Sequence, residues 1–167
     1  TDAMDLDDLL AEPVSVLREN PEVCSEIAHK VARHLLVDEF QDVNTAQYEL
    51  VRLLSQEDGR GLFVIGDPNQ AIYGFRGADR RFFFRFAEDH PSCYKVRLAC
   101  NYRSQANVLA AAEQVLEAEH RTPGFVAVRA AGSRVRKVQL PNEATEAEFI
   151  VRTIDAFLGG AAFFSID

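Results

Sequence analysis

Apolar positions along the chain fall into two patterns: short unbroken runs, and stripes that return every three or four residues. His34-Leu35-Leu36-Val37 and Leu62-Phe63-Val64-Ile65 are the clearest runs. Runs of that length predict strands, and the second is of the kind buried on both faces of a parallel sheet. Between them, Asn44 followed three residues later by Gln47 predicts a capped helix to about Leu54. Tyr48, Val51 and Leu54 share one side of it. Gly59-Arg60-Gly61 supplies the turn into the second run. Strand, helix and strand in this order predict a βαβ unit with a right-handed crossover.

The flanking segments follow the same logic. Asp5–Leu10 predicts a short helix, Pro13 the start of a second and Pro21 the start of a third. Val23, Ile27 and Val31 give the third an apolar face. Beyond the second strand, Gly74 and Gly77 bracket a loop that leads to a helix from about Asp79 to Glu88. Its Phe82, Phe83, Phe84 and Phe86 are assigned to the core. Tyr94–Leu98 predicts a third strand. A helix from Ser104 to about Ala118 follows, with Val108, Ala112, Val115 and Leu116 facing inward. Breakers at Arg121–Gly124 and Ala130–Ser133 enclose a short strand, and Val135–Leu140 alternates as another. Asn142 caps a last helix that carries Ile150, Ile154, Phe157 and Leu158 on one face, ended by Gly159-Gly160. The expected class is α/β: a parallel sheet flanked by helices, with a boundary between lobes near residues 98–104.

Composition narrows the classes. Hydrophobic residues at 47% and charged ones at 26% suit a soluble globular chain. No apolar run approaches the ~20 residues that span a bilayer, and no signal segment opens the chain. Cys24, Cys93 and Cys100 show no C-x-x-C spacing, so reduced thiols and a cytoplasmic setting are expected. The net charge of −8 argues against simple electrostatic wrapping of nucleic acid. Its distribution matters more. Residues 1–50 hold twelve acidic and three basic side chains, whereas 67–104 hold four acidic and seven basic ones with aromatics between them.

Candidate chemistry sits where the apolar runs stop. Val37 leads into Asp38-Glu39-Phe40-Gln41-Asp42, and Ile65 into Gly66-Asp67. Ligands of open α/β sheets bind at the carboxyl ends of strands. There Asp38 could hold Mg²⁺ and Glu39 could orient or deprotonate an attacking water. Taken alone, the dipeptide fits a solvated acidic turn better, because such pairs are common. Gln70, three residues past Asp67, could reach a terminal phosphate oxygen or the attacking water through an uncharged amide. Tyr73, Phe75 and Arg76 would make a stacking platform for single-stranded bases, or the rings pack inside. Arg103 could stabilise charge developing on a γ-phosphate, and Tyr102 could stack on a purine. A capping Ser104 beside an exposed Arg103 is the plain alternative.

Order and spacing carry more than any one piece. Leu36–Asp42 (LVDEFQD), Gly66–Asp79 (GDPNQAIYGFRGAD) and Leu98 with Asn101–Ser104 (LxxNYRS) resemble motifs II, III and IV of the superfamily 1 DNA helicases of the UvrD/Rep/PcrA group. Asp5–Leu10 resembles the DFDDLL element of that group. The likeness is strong from 34 to 118 and weaker after. It implies a partial RecA-like (P-loop NTPase) fold, with residues 1–98 as the C-terminal part of the first motor domain (1A) and 99–167 as the start of the second (2A). It implies ATP and Mg²⁺ as cofactors, single-stranded and duplex DNA as partners, and unwinding with 3′-to-5′ polarity. Asp38 would hold Mg²⁺ through water, and Glu39 would activate the hydrolytic water. Gln41 and Asp42 would support the nucleotide site and couple it to the next motif. Gln70 would sense the γ-phosphate, Tyr102 would stack on adenine, and Arg103 would act as an arginine finger. Tyr73, Phe75 and Arg76 would contact DNA. At Phe75 close relatives usually carry Trp, so an aromatic face is kept with less area.

One motif of that group is not found in these residues. G-x-x-x-x-G-K-[ST] needs a Lys after Gly, and none of Lys30, Lys95 and Lys137 stands in that pattern. The resemblance therefore implies a segment of a larger helicase, with little or no ATPase activity of its own, whose partner is the rest of that chain. Two alternatives remain open: the motor part of a RecB-like or AddA-like helicase–nuclease, and a DNA-binding module without catalysis.

Overall fold

The computed structural model describes residues 4–56, 58–116 and 125–159. They form two compact units, one ending at Leu98 and one beginning at Ala99.

In the first unit the two apolar runs become β1 (Leu35–Val37) and β2 (Leu62–Val64), paired parallel with Leu36 opposite Phe63. The connection contains α3 (Thr45–Leu54), so this is the expected strand–helix–strand unit. The cap of α3 forms in full: Asn44 Oδ1 accepts the Gln47 N–H at 2.9 Å and Gln47 Oε1 accepts the Asn44 N–H at 3.0 Å. Two orphan donors of the helix start are thereby satisfied. Before β1, α1 (Asp8–Glu19) and α2 (Pro21–Lys30) both pack on α3.

Three helical expectations need correction here. Pro13 does not open a helix; it lies inside α1. The Leu9 carbonyl that it leaves without a helical donor belongs to an exposed residue, while Val14 and Leu17 on the other side are buried. Tertiary burial therefore outweighs the break. On α2 the covered side is Cys24, Ile27 and Ala28, and Val23 and Val31 are exposed. On α4 (Arg81–Asp89), Phe82, Phe83 and Phe86 pack against the core but Phe84 is exposed. A helix of nine residues cannot turn four clustered rings to the same side.

Phe40, Val43 and Tyr48 make the centre of the core, enclosed by Val37, Val51, Val64, Phe82, Phe83 and Phe86. Phe40 stands edge-on to Phe86 at 5.4 Å, and Tyr48 stacks on Phe82 at 4.4 Å. The Tyr48 hydroxyl donates to Asp89 across the α3–α4 seam. Desolvation pushes the Tyr48 phenol far up, and the Asp89 bond adds to it. That same bond is the chief reason the Asp89 carboxyl lies below the usual carboxylate range. Tyr48→Phe is expected to cost about 1.5–3 kcal/mol, the worth of a hydrogen bond to a charged group. The sign with pH follows from the two directions. Asp89 contributes above the unfolded carboxyl value of about 4 and loses that contribution as pH falls through its lowered folded value. Tyr48 contributes below the unfolded phenol value of about 10 and loses that contribution as pH rises toward its raised folded value. Urea titrations of both proteins should show a constant gap from about pH 5 to 9 that narrows beyond either end. A gap undiminished at both extremes would count against this reading.

The sheet differs from expectation in its faces. Leu36 is 71% and Phe63 56% exposed, so the described strands are covered on one side, not both. Tyr94–Leu98 forms no strand, and Tyr94, Val96 and Leu98 are exposed. Alternation marks a segment as fit for a sheet, but a strand exists only where a partner accepts its hydrogen bonds. Among the described residues no strand is paired with it.

In the second unit β3 (Cys100–Gln105) pairs parallel with β4 (Val126–Arg129), and α5 (Ala106–Val115) lies between them in sequence. Asn101–Ser104 thus lies within a strand, and the predicted helix begins two residues later than expected. Val108, Ala112 and Val115 of α5 are exposed, contrary to the predicted inward face. Val135–Leu140 is not a strand. The final helix, α6 (Glu143–Leu158), has its predicted Asn142 cap, with Oδ1 accepting the Thr145 N–H at 3.0 Å. Its Ile150, Ile154, Phe157 and Leu158 are exposed among the described residues. Arg121–Gly124, Ala118 and Gly160, where breakers or helix ends are expected, lie outside the described residues.

Candidate functional site

The carboxylates lie where β1 stops. Asp38 Oδ1 accepts the Glu39 N–H at 2.9 Å. Glu39 takes a left-handed backbone conformation, φ 50° and ψ 45°. That costs an L-residue with a Cβ about 1–2 kcal/mol, so the surroundings must hold it. The Phe40 N–H donates to Ile65 O at 2.9 Å and the Asp42 N–H to Glu39 O at 2.9 Å. Buried Phe40 anchors the ring side of the same turn. A 3-10 turn, Phe40–Asp42, follows directly, and Asp38 and Glu39 remain exposed.

Gln41 is the joint. It is 1% exposed, the one buried polar residue among those described. Its Nε2 donates to Glu39 Oε2 at 2.7 Å and more weakly to Asp42 Oδ2 at 3.4 Å. Its Oε1 accepts the Asp67 N–H at 2.9 Å. The end of β1 is thereby tied to the segment after β2. Gly66 permits this approach, because a Cβ there would stand 2.5 Å from Gln41 Oε1. Asp67 in turn caps the turn that follows it: Oδ1 accepts the Asn69 N–H and Oδ2 accepts from Gln70 Nε2, both at 2.9 Å. Asp38, Glu39, Gln41, Asp42 and Gln70 therefore belong to one connected set.

A cleft of about 350 Å³ adjoins the set, lined by Val37, Asp38, Glu39, Asp42, Val43, Gln47, Leu50 and Val51. A larger depression of about 640 Å³ on α2 is lined by that helix alone and has no second wall. Inside the first cleft's lining, Asp42 Oδ1 is buried without a hydrogen-bond partner. A buried, orphaned carboxylate oxygen calls for a water, an ion or another donor. Together with the exposed Asp38 carboxylate it offers hard oxygen ligands of the kind Mg²⁺ takes. Among the described residues no three acidic, His or Cys side chains gather around a point. Water and phosphate oxygens would have to complete such a shell, which is the usual habit of Mg²⁺.

Tyr73, Phe75 and Arg76 form a separate cluster. Phe75 is 80% exposed and the Tyr73 and Phe75 ring centroids are 6.0 Å apart. The Arg76 guanidinium carbon lies 5.3 Å from the Tyr73 centroid and 5.6 Å from that of Phe75. A short 3-10 turn, Gly74–Arg76, closed by Gly77 at φ 82°, brings the three together. The rings are thus presented outward and not packed inside. Near the next helix, Asp79 pairs with Arg81 at the start of α4, and this bond holds the Asp79 carboxyl below its usual range.

In the second unit Tyr102 and Arg103 are both exposed on β3. Asn101 Oδ1 accepts the N–H groups of Arg103 and Ser104 at 3.0 and 2.8 Å, and Arg129 Nη1 donates to the Arg103 carbonyl at 2.9 Å. The Arg103 backbone is held on both sides.

The sequence reading assigned no role to Asp67 or Asn101, whose side chains hold these two turns. The signal was available for both. Asp before Pro68-Asn69, and Asn two residues before an N–H, are the side-chain turns that short polar residues make with the backbone.

A family model described as the UvrD/REP helicase N-terminal domain matches residues 1–91. Over 155 residues the chain is 36% identical to the ATP-dependent DNA helicase PcrA of Staphylococcus epidermidis strain RP62A, and likewise to that of Staphylococcus aureus strain Mu50. The alignments cover 92% of this chain and 21% of each relative, so the chain spans about a fifth of the length of the curated relatives it matches.

Proposed function

The chain belongs to the UvrD/Rep/PcrA family of helicases, and on that premise we propose that it forms part of an ATP-driven motor that moves along single-stranded DNA and unwinds duplex. Residues 1–98 are read as the C-terminal part of a first RecA-like domain and 99–167 as the start of a second. The parent would run 3′ to 5′. Among the described residues no helix is long and apolar enough to cross a membrane.

The observation that carries this reading is the meeting of two strand ends through Gln41. It joins the carboxylate of Glu39 to the segment that holds Gln70. A group that activates water and a group that senses a phosphate need a fixed separation, and a buried amide supplies one. When bound, Mg²⁺ would neutralise charge on the terminal phosphates, held by Asp38 through water and supported by Asp42. Glu39 would orient and deprotonate the attacking water. Gln70 would contact that water or the γ-phosphate. Tyr102 would stack on adenine, and Arg103 would approach the γ-phosphate as an arginine finger. The 167 residues alone, which contain no G-x-x-x-x-G-K-[ST], are expected to show no appreciable turnover.

The test is hydrolysis of ATP by the full-length protein, measured with and without Mg²⁺ and single-stranded DNA. Turnover that neither one changes would overturn the reading. The exposed aromatic pair gives a second measurement. Phe75→Ala should weaken single-stranded DNA binding by about 1–3 kcal/mol, the worth of one stacked base. Fluorescence anisotropy with an oligonucleotide would read this as about 5- to 150-fold in Kd. An unchanged Kd would remove Phe75 from the DNA path.

A further inference from the structure

Four residues on neighbouring strand ends are joined by hydrogen bonds: Gln41 bonds the Glu39 carboxylate and the Asp67 backbone N–H, and the Asp67 carboxylate bonds the Gln70 amide. Each side-chain amide among them has a single orientation that fits. The Asp67 N–H can only donate, so Gln41 turns its oxygen to it and its nitrogen to the carboxylates. An ionised carboxylate can only accept, so Gln70 turns its nitrogen to Asp67 and keeps its oxygen as the end offered outward. Asp67 divides its own oxygens between two tasks. Oδ1 holds the backbone of the turn through Asn69, and Oδ2 holds the Gln70 amide.

Resting on the roles proposed above for Glu39 and Gln70, we infer that Asp67 is a positioning residue for hydrolysis. Its carboxylate fixes which end of the Gln70 amide faces the reacting groups. Its N–H, through Gln41, ties that amide to the Glu39 carboxylate. Burial of Gln41 keeps water from replacing the link. Gly66 belongs to the same device, because a Cβ there would press on Gln41 Oε1 at 2.5 Å and on the Phe40 nitrogen at 3.0 Å. The outward end of Gln70 is a hydrogen-bond acceptor, which suits the proton of an attacking water better than a phosphate oxygen.

The test uses the full-length protein with Asp67→Asn. Asparagine keeps an oxygen for the Asn69 N–H and puts a donor where Gln70 needs an acceptor. The expected result is a fall in kcat for DNA-stimulated ATP hydrolysis of about 10- to 100-fold, the size seen when the partner that orients a reacting group is lost. KM for ATP should change by less than about threefold, since the amide is oriented for the transition state and not for binding. The thermal midpoint should stay within about 2 °C. Combined with Gln70→Ala, the variant should be no slower than Gln70→Ala alone, because both remove the same oriented amide. Unchanged kcat, or losses that multiply in the double variant, would overturn the inference. Should Asp67→Asn fail to fold, Gln41→Met breaks these bonds at their centre with little change in volume, and an undiminished kcat there would overturn the inference equally. Glu39→Gln measured alongside separates the two levels. Normal turnover in that variant sinks the proposed function and this inference with it. An inactive Glu39→Gln beside a fully active Asp67→Asn sinks the inference alone.

Discussion

Glu39→Gln in the full-length protein is expected to lower ATP turnover by about 10²- to 10⁴-fold, the range for loss of a positioned general base. The change is nearly isosteric. A glutamine at 39 still offers an oxygen to Gln41 Nε2, so the 2.7 Å link can persist. The left-handed backbone at this position is unaffected by an amide in place of a carboxylate. Nucleotide binding and thermal midpoint should therefore hold while hydrolysis disappears. Single-turnover measurements with radiolabelled ATP would separate the two. Hydrolysis within about threefold of the parent protein would exclude Glu39 as the base.

Phe40→Ala should be the most damaging single change to the first unit's stability. Phe40 is fully buried at the centre of the core, against Tyr48 and Phe86. Truncating a buried ring of this kind costs about 3–5 kcal/mol from lost transfer energy and the cavity left behind. That is a large part of the roughly 5–15 kcal/mol by which a domain is stable. Urea titration of the chain followed by circular dichroism would show the drop, and a loss below about 1 kcal/mol would contradict the burial seen here. Phe40 also stands between Glu39 and Gln41, and its N–H bonds Ile65 O. Loss of the ring would loosen the turn that carries Glu39 along with the core.

The two variants act on adjacent residues and do opposite things. One is expected to remove chemistry and leave the fold, the other to remove the fold and take the chemistry with it. The reason is geometric. A turn that must expose Asp38 and Glu39 at a strand end needs a buried anchor directly behind them, and Phe40 is that anchor.

Much of this was legible in the chain itself. The Asn44–Gln47 capping box, the Asn142 cap, both apolar runs and the strand–helix–strand order depend on neighbours a few residues apart, and all appear as read. So did the outward-facing Tyr73–Phe75–Arg76 loop as one of two options, its exposure then deciding between them. Helix faces were less legible. Val23 and Val31, Phe84, and Val108 with Val115 were all assigned inward by spacing and lie exposed. Spacing says which residues share a side of a helix, but the neighbours decide which side is covered. Tyr94–Leu98 and Val135–Leu140 failed as strands for a related reason: alternation is local, and the partner that would complete a ladder is not.

By itself the sequence determined the chemical groups, their order and their family. Asp38, Glu39, Gln70 and Arg103 stand at motif positions whose spacing along the chain is enough to name a helicase family. The tertiary structure alone decided how those of the first unit are held. Gln41 and Asp67 are 26 residues apart, and nothing in either one's surroundings along the chain says that they meet. They meet because β1 and β2 pair in parallel, Phe40 is drawn into the core, and Gly66 leaves room for an amide. Hydrogen bonds across such a distance are set by packing, and packing is a property of the folded whole.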